Sequence, residues 1–98
     1  MLIEKANALY AIVSGINRAE KINVLLLNAS LFDEIVNKNC NAILLEISCF
    51  STEITIEEIG TINDCIREKV SMETQIIMTV SEDENLGESM GVSIKIAV

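Results

Sequence analysis

The apolar residues of this chain come in short runs, and this spacing constrains the fold more than any other feature of the sequence. Each run is far below the ~18 apolar residues that a membrane-spanning helix needs, and polar or amphipathic segments separate the runs. Half of the 98 residues are hydrophobic, which is enough for a folded core and too much for a disordered chain. We therefore expect one domain over residues 1–98, without an N-terminal signal peptide.

The first half of the chain predicts one strand followed by one helix. The run Ala8–Val13 is typical of a strand and ends at the turn residue Gly15. Apolar residues then recur at spacings of three and four, which predicts an amphipathic helix over residues 18–29. Asn17 stands three residues before Glu20, so we expect a capping box, in which each of these side chains bonds the backbone N–H of the other residue.

The middle of the chain predicts a central strand and a second helix. The continuous apolar run Ala42–Ile47 is typical of a strand that is covered on both faces. Within it, Glu46 is expected near a strand end or on a partly solvated face, because burying an unpaired carboxylate is costly. Thr55 and Glu58 have the spacing of a second capping box, and the stripe that follows predicts a helix over residues 56–70.

Two further strands close the sequence. The run Gln75–Val80 is apolar, and the alternation from Val92 to Val98 is typical of a strand with one exposed face. The acidic loop between them is short enough for an antiparallel hairpin. The order β-α-β-α-β-β predicts an α+β two-layer sandwich, with a four-stranded mixed sheet and two helices on one face, similar in architecture to ferredoxin-like and chorismate-mutase-like folds.

The charged and reactive residues narrow the function classes. Seven Lys and Arg against fifteen Asp and Glu give a net charge of −8, the wrong sign for binding nucleic acid. The absence of histidine removes histidine general bases, histidine metal ligands and Ser–His or Cys–His nucleophile pairs. The four glycines do not form a phosphate-binding pattern. We therefore expect no catalytic, cofactor-binding or metal-binding residues, and no enzyme activity from this chain alone.

The cysteines and an acidic loop are the remaining candidates for a site. Cys40, Cys49 and Cys65 lack the paired spacing of a zinc site or a disulfide framework, so we interpret them as small reduced hydrophobes. The loop at residues 82–88 lacks the ligand spacing of an EF-hand and is interpreted as solvated. Acidic residues are concentrated in the second half of the chain, and an alternative interpretation is that they form a surface that binds a basic partner.

Several motifs, in order along the chain, resemble a known family. They are Ser14–Lys21, Ser30–Ile35, Ala42–Ser48, Thr55–Ile59, Ile66–Glu68, Gln75–Ile77 and Leu86–Glu88. The ordered set, more than any single motif, is similar to the C-terminal domain of the FtsZ family of bacterial tubulin-like cell-division proteins, and it covers nearly the whole chain. The chain departs from the family pattern where Cys49 and Phe50 replace glycines, Ser30 replaces a proline and Gly91 replaces an arginine.

The resemblance implies one part of a GTPase. In the family a separate N-terminal domain binds GTP, and the C-terminal domain packs on the nucleotide-bearing face of the next subunit in a filament. The resemblance thus implies a cytoplasmic cell-division protein whose partners are an FtsZ-like N-terminal GTPase domain, which carries the GTP, and neighbouring subunits. The positions nearest the hydrolysis loop correspond to Arg18, Glu20 and Lys21, which become candidate subunit-interface residues. The family commonly has an acid where Lys21 stands.

Two other functions stay open at this point. A stand-alone regulatory domain that binds a small molecule on a ferredoxin-like scaffold would show a concave pocket. A small enzyme of chorismate-mutase type would use charges at an oligomer interface, but only Arg18 and Arg67 offer the guanidinium groups that hold a dicarboxylate best.

Overall fold

The chain folds as a mixed α+β structure, and the computed structural model describes residues 1–5, 8–37 and 41–97. These ranges contain five strands, three α-helices and a short 3-10 turn at Glu84–Leu86. The strands are β1 (Leu2–Lys5), β2 (Ala8–Val13), β3 (Ala42–Cys49), β4 (Gln75–Glu82) and β5 (Met90–Ala97). The helices are α1 (Arg18–Leu27), α2 (Ser30–Asn37) and α3 (Ile56–Lys69).

The five strands form one mixed sheet in the order β1-β2-β5-β3-β4. β1 is antiparallel to β2, β5 is antiparallel to both β2 and β3, and β3 is parallel to β4. The predicted α+β fold with a mixed sheet is confirmed, but the prediction of four strands is wrong because β1 adds a fifth. β1 has four residues, and two of them, Glu4 and Lys5, are charged, so it carries little local strand signal.

The last two strands do not form the predicted hairpin. β5 lies between β2 and β3 instead of beside β4. The connecting loop crosses the end of β3, where the N–H of Asp83 donates to the carbonyl of Cys49 (3.1 Å) and the N–H of Ser51 donates to the carbonyl of Gly87 (2.8 Å). This crossing carries the chain past β3 before β5 begins. A loop of this length suits a hairpin or a crossing over one strand, so local sequence does not distinguish them.

One face of the sheet and the helices share a single hydrophobic cluster. The strand register places Leu9, Ile94 and Leu45 side by side on that face, and all three are fully buried. Ile22 of α1 and Ile66 of α3 are buried in the same cluster. α1 and α3 match their predicted positions to within two residues at their C-terminal ends, because their apolar stripes are local and regular.

The helix α2 is an addition to the two helices predicted. It buries Leu31 and Phe32 in the core. The backbone N–H of Leu31, at its first turn, donates to the Glu4 carboxylate of β1 at 3.0 Å. Since that partner lies on a strand distant in sequence, the start of α2 depends on a contact that no local pattern contains.

The central strand β3 is covered on one face rather than on both. Burial alternates over the predicted run Ala42–Ile47, so that Ile43 and Leu45 are buried while Leu44 and Glu46 are exposed. The prediction of a strand covered on both faces is therefore wrong, and the expectation that Glu46 meets solvent is confirmed. We call the side of the sheet that carries Leu44 and Glu46 the open face.

The remaining predictions concern the cysteines, the end of the last strand and membrane-spanning segments. Cys40 and Val98 lie outside the described residues. Cys49 is buried, Cys65 is half-buried, and both are free thiols. No helix within the described ranges is long and apolar enough to cross a membrane.

Candidate functional site

Arg18, the first residue of α1, points into the protein instead of into solvent. Only 5% of its surface is exposed. Its Nε donates to Glu58 Oε2 at 2.5 Å and its Nη2 donates to Glu58 Oε1 at 2.9 Å. This two-pronged geometry is the strongest form of a carboxylate–guanidinium pair, and it joins the first turn of α1 to the first turn of α3.

The same guanidinium also holds the loop that leads into α3. Nη1 of Arg18 donates to the carbonyl of Thr52 at 3.2 Å, and Nη2 donates to the carbonyl of Glu53 at 2.9 Å. Five N–H donors in a fixed plane make arginine suited to bridging a carboxylate and two carbonyls at once. Arg18 therefore fixes the relative positions of two helix starts and a loop.

The start of α3 has the capping box that the sequence predicts. The Thr55 backbone N–H donates to Glu58 Oε1 at 3.0 Å, and the Glu58 backbone N–H donates to Thr55 Oγ1 at 3.1 Å. Glu58 thus serves two partners, the helix cap and Arg18. The hydrogen bond from Arg18 is the main cause that lowers the pKa of the Glu58 carboxyl, so this group is ionised at neutral pH.

The start of α1 lacks the predicted capping box. Asn17 adopts a left-handed backbone conformation (φ 60°, ψ 38°), and its side chain makes no capping hydrogen bond. The backbone carbonyl of Asn17 accepts the first hydrogen bond of the helix, from the Lys21 N–H at 3.0 Å, as the carbonyl of Thr55 does at α3. A side-chain cap requires an extended backbone at this position, which the turn through Gly15 (φ 86°) does not give.

Cys49 lies close to this arrangement and is chemically quiet. Burial raises the pKa of its thiol, and the nearby positive charge of Arg18 opposes that rise only in part. The thiol is therefore protonated at neutral pH and is a poor nucleophile. The part of the chain that the structure describes also holds no group of three or more acidic or Cys side chains placed to bind a metal.

The other two candidate interface residues behave differently from Arg18. Glu20 and Lys21 are exposed, and Lys21 Nζ donates to the carbonyl of Ser14 at 2.9 Å. The guanidinium of Arg18 donates its hydrogen bonds within the chain. Any effect of Arg18 on an interface is therefore indirect, through the loop and the helices that it positions. The assignment of these three residues to a subunit interface stays a prediction.

Two exposed isoleucines at this end of the molecule were missed by the sequence analysis. Ile16, in the turn before α1, is 83% exposed, and Ile56, the first residue of α3, is 87% exposed. Neither residue belongs to the inward apolar stripe of the helix that follows or contains it. A large apolar residue that stands at a helix start outside this stripe could have identified the surface from sequence. A lone exposed isoleucine is ordinary, but these two flank the same ion pair.

We call the exposed residues around the Arg18–Glu58 pair the helix-start face. It consists of Ile16, Glu20, Lys21, Glu53, Ile56 and Glu57. An open groove of about 460 Å³ lies beside it, with Arg18 and Glu58 among its walls. Two apolar anchors among mixed charges, on a base fixed by a buried ion pair, are typical of a protein-contact surface and offer no pair of groups for acid–base or nucleophilic chemistry.

The chain is similar to known proteins in both sequence and structure. A sequence profile described as "FtsZ family, C-terminal domain" matches residues 5–98. A mutant FtsZ from M. jannaschii is similar in structure, with a TM-score of 0.74 and 21% identity over 93% of this chain and 27% of that chain. An empty FtsZ dimer from the same organism gives a TM-score of 0.73 and 21% identity over 92% and 26%. No curated protein sequence matches the chain. The chain thus spans about a quarter of the length of the FtsZ chains it resembles.

Proposed function

Because this chain belongs to the FtsZ family, as a C-terminal domain of that family, we propose that it is the polymerisation domain of a tubulin-like cell-division GTPase. In this proposal the helix-start face packs on the nucleotide-bearing face of the next subunit in a cytoplasmic filament. The observation that carries the proposal is the pairing of exposed Ile16 and Ile56 with exposed charges over the buried Arg18–Glu58 pair.

The rigidity of the helix-start face supports this role. Apolar side chains contribute most to an interface when they are held in place before the partner arrives, since ordering them on contact costs free energy. Here Ile56 lies within the capping box, directly after Thr55, and Ile16 stands two residues before the anchored Arg18. Both anchors are thus presented by backbone that the fold has already fixed.

The chemistry of hydrolysis belongs, in this proposal, to other parts of the assembly. The described residues of this chain hold neither a phosphate-binding glycine loop nor a histidine, and Cys49 is protonated. We propose that GTP is bound by an N-terminal domain, that the junction between subunits completes the reaction centre, and that this chain alone has no GTPase activity. The family match favours this interpretation over a metabolite-binding regulatory domain or a mutase-type enzyme.

The test is a chimera in which this chain replaces the structurally equivalent C-terminal domain of M. jannaschii FtsZ. We expect the chimera to pellet with GTP and to stay in the supernatant with GDP. In a variant with Ile16→Glu and Ile56→Glu, the protein concentration at which the chimera begins to pellet should rise about tenfold, because the contact loses two apolar side chains. A tenfold rise corresponds to a loss of ~1.4 kcal/mol of association free energy. Glutamate is favoured in the first turn of a helix, so Ile56→Glu should leave α3 folded.

Met72→Glu provides the matched control. Met72 is 95% exposed and follows the other end of α3, some 20 Å away at ~1.5 Å per helical residue. The proposal predicts that this variant pellets as the parent chimera does. A folded chimera that binds GTP and never pellets, or a Met72→Glu variant as defective as the double variant, would contradict it.

A further inference from the structure

The two edges of the sheet differ in how they are protected from pairing with another strand. β1, at one edge, has four residues, carries Glu4 and Lys5, and uses the Glu4 carboxylate to bond the start of α2. Short length and charged side chains are the usual protection of an edge strand. The β1 edge is therefore poorly suited to accept another strand.

β4, at the opposite edge, has none of this protection along most of its length. It has eight residues, Gln75 to Glu82, and only the last of them is charged. No proline or glycine interrupts it. Ile77 is 45% exposed and Val80 is 51% exposed. In the part of the chain that the structure describes, β3 is the one strand beside β4. A long, largely uncharged and apolar edge of this kind is a template for a further strand.

We propose that the β4 edge pairs with β4 of a second copy of this chain, antiparallel, about a two-fold axis at Met78. The pairing would join two five-stranded sheets into one continuous sheet of ten strands. It goes beyond the filament contact proposed above, because it uses another surface and needs no nucleotide.

The sequence of β4 is self-complementary in this register. On the face that carries the core, Met78 lies opposite its own copy, and Ile76 lies opposite Val80 of the other copy, so the three central pairs on this face are apolar. Ile76 and Met78 are only partly buried within one chain, and Val80 is half-exposed, so each has surface left to cover. On the open face, Ile77 lies opposite Thr79. Pairs of apolar and β-branched residues are those that stabilise neighbouring strands best.

The charges act against this pairing and predict how it depends on salt. Glu82 of one chain and Glu82 of the other stand at opposite ends of the ladder, about 26 Å apart at ~3.3 Å per residue, which exceeds the ~8 Å screening length at physiological salt. Just outside the ladder, Asp83 of one copy approaches Glu73 of the other, and each chain has a net charge of −8. Repulsion therefore opposes the pairing, and added salt should strengthen it.

The experiment measures the self-association of the full 98-residue chain, without nucleotide, by sedimentation equilibrium from micromolar to millimolar concentration. We expect a monomer–dimer equilibrium whose dissociation constant falls severalfold from about 50 to about 500 mM salt, because the screening length shortens over this range. A chain that is monomeric throughout this range at high salt overturns the proposal.

Two matched double variants test the register. Ile77→Lys with Thr79→Lys places like charges opposite one another twice, so the dissociation constant should rise about tenfold or more. Ile77→Lys with Thr79→Glu changes the same exposed positions but places opposite charges together, so it should dimerise within about threefold of the parent chain. In registers centred on Ile77 or Thr79, this second variant would place like charges together and would also lose the dimer. That result overturns the register proposed here.

Ile3→Lys on the β1 edge is the control for the choice of edge. Ile3 is 38% exposed, and the proposal expects its substitution to leave the dissociation constant unchanged. Loss of the dimer in this variant would assign the contact to β1 and would overturn the proposal. None of these outcomes bears on filament formation with GTP, which the chimera measures separately.

Discussion

The starts of α1 and α3 carry nearly the same sequence signal and are stabilised in different ways. Asn17 and Thr55 each precede a glutamate by three residues, the spacing of a capping box. At α3 the box forms, with hydrogen bonds of 3.0 and 3.1 Å. At α1 it does not form, and Asn17 is left-handed. The start of α3 is thus stabilised by its own residues, and the start of α1 is stabilised by Arg18, which reaches across to α3.

The difference comes from the left-handed backbone at Asn17 and from what each glutamate has as a partner. Glu58 has Arg18 beside it, and this cation holds the carboxylate where the Thr55 backbone N–H can also donate to it. Glu20 is exposed to solvent. A capping pattern therefore marks the place where a helix begins, and the tertiary neighbours decide which hydrogen bonds are made there.

The largest effect is expected from removing the cation that joins the two starts. Arg18→Ala should lower the free energy of unfolding by about 3 kcal/mol, because it leaves the half-buried Glu58 carboxylate and two loop carbonyls without their donor. Urea unfolding followed by circular dichroism measures this loss.

Lys21→Ala is the matched control for the loss of Arg18. Lys21 is also a cation in the first turn of α1, but it is exposed and bonds one carbonyl. We expect its substitution to cost less than about 1 kcal/mol. Equal losses for the two variants would show that charge near the helix start, and not the bridge to α3, is what stabilises this region.

A smaller effect is expected from removing the local cap of α3. Thr55→Ala should lower the free energy of unfolding by about 1 kcal/mol, since the Glu58 backbone N–H loses its acceptor. Thr55→Ser keeps a hydroxyl at the same place and should restore most of the stability. If Thr55→Ser were as unstable as Thr55→Ala, the effect would come from the methyl group and not from the cap.

The same difference between local and distant contacts explains which helices and strands could be predicted from the sequence and which could not. α3 and β2 were placed well because an apolar stripe and an apolar run are local patterns. β1, α2 and the position of β5 were missed because they depend on distant partners: Glu4 bonds the start of α2, and the loop after β4 crosses Cys49. A local pattern contains neither contact.

The candidate site divides in a similar way. The motif around Arg18 indicates the end of the molecule that carries the helix-start face, but it does not show that the guanidinium is buried while Glu20 and Lys21 are exposed. The sequence pattern does not identify Ile16 and Ile56, because it detects apolar residues that repeat along one helix face and these two lie outside that repeat. Their exposure follows from the angle at which each helix starts, which the Arg18–Glu58 pair fixes.

The smallest effect is expected at Asn17, and it tests most directly the difference between the starts of α1 and α3. Asn17→Gly should raise the free energy of unfolding slightly, by about 0.5 kcal/mol, because glycine adopts a left-handed conformation without strain and no capping bond is lost. The gain is limited by the greater freedom of glycine in the unfolded chain. Comparing urea midpoints at a common slope resolves a change of this size better than extrapolated free energies do. A loss of a few tenths of a kcal/mol in place of this gain would mean that the Asn17 side chain caps α1, and the two helix starts would then be alike.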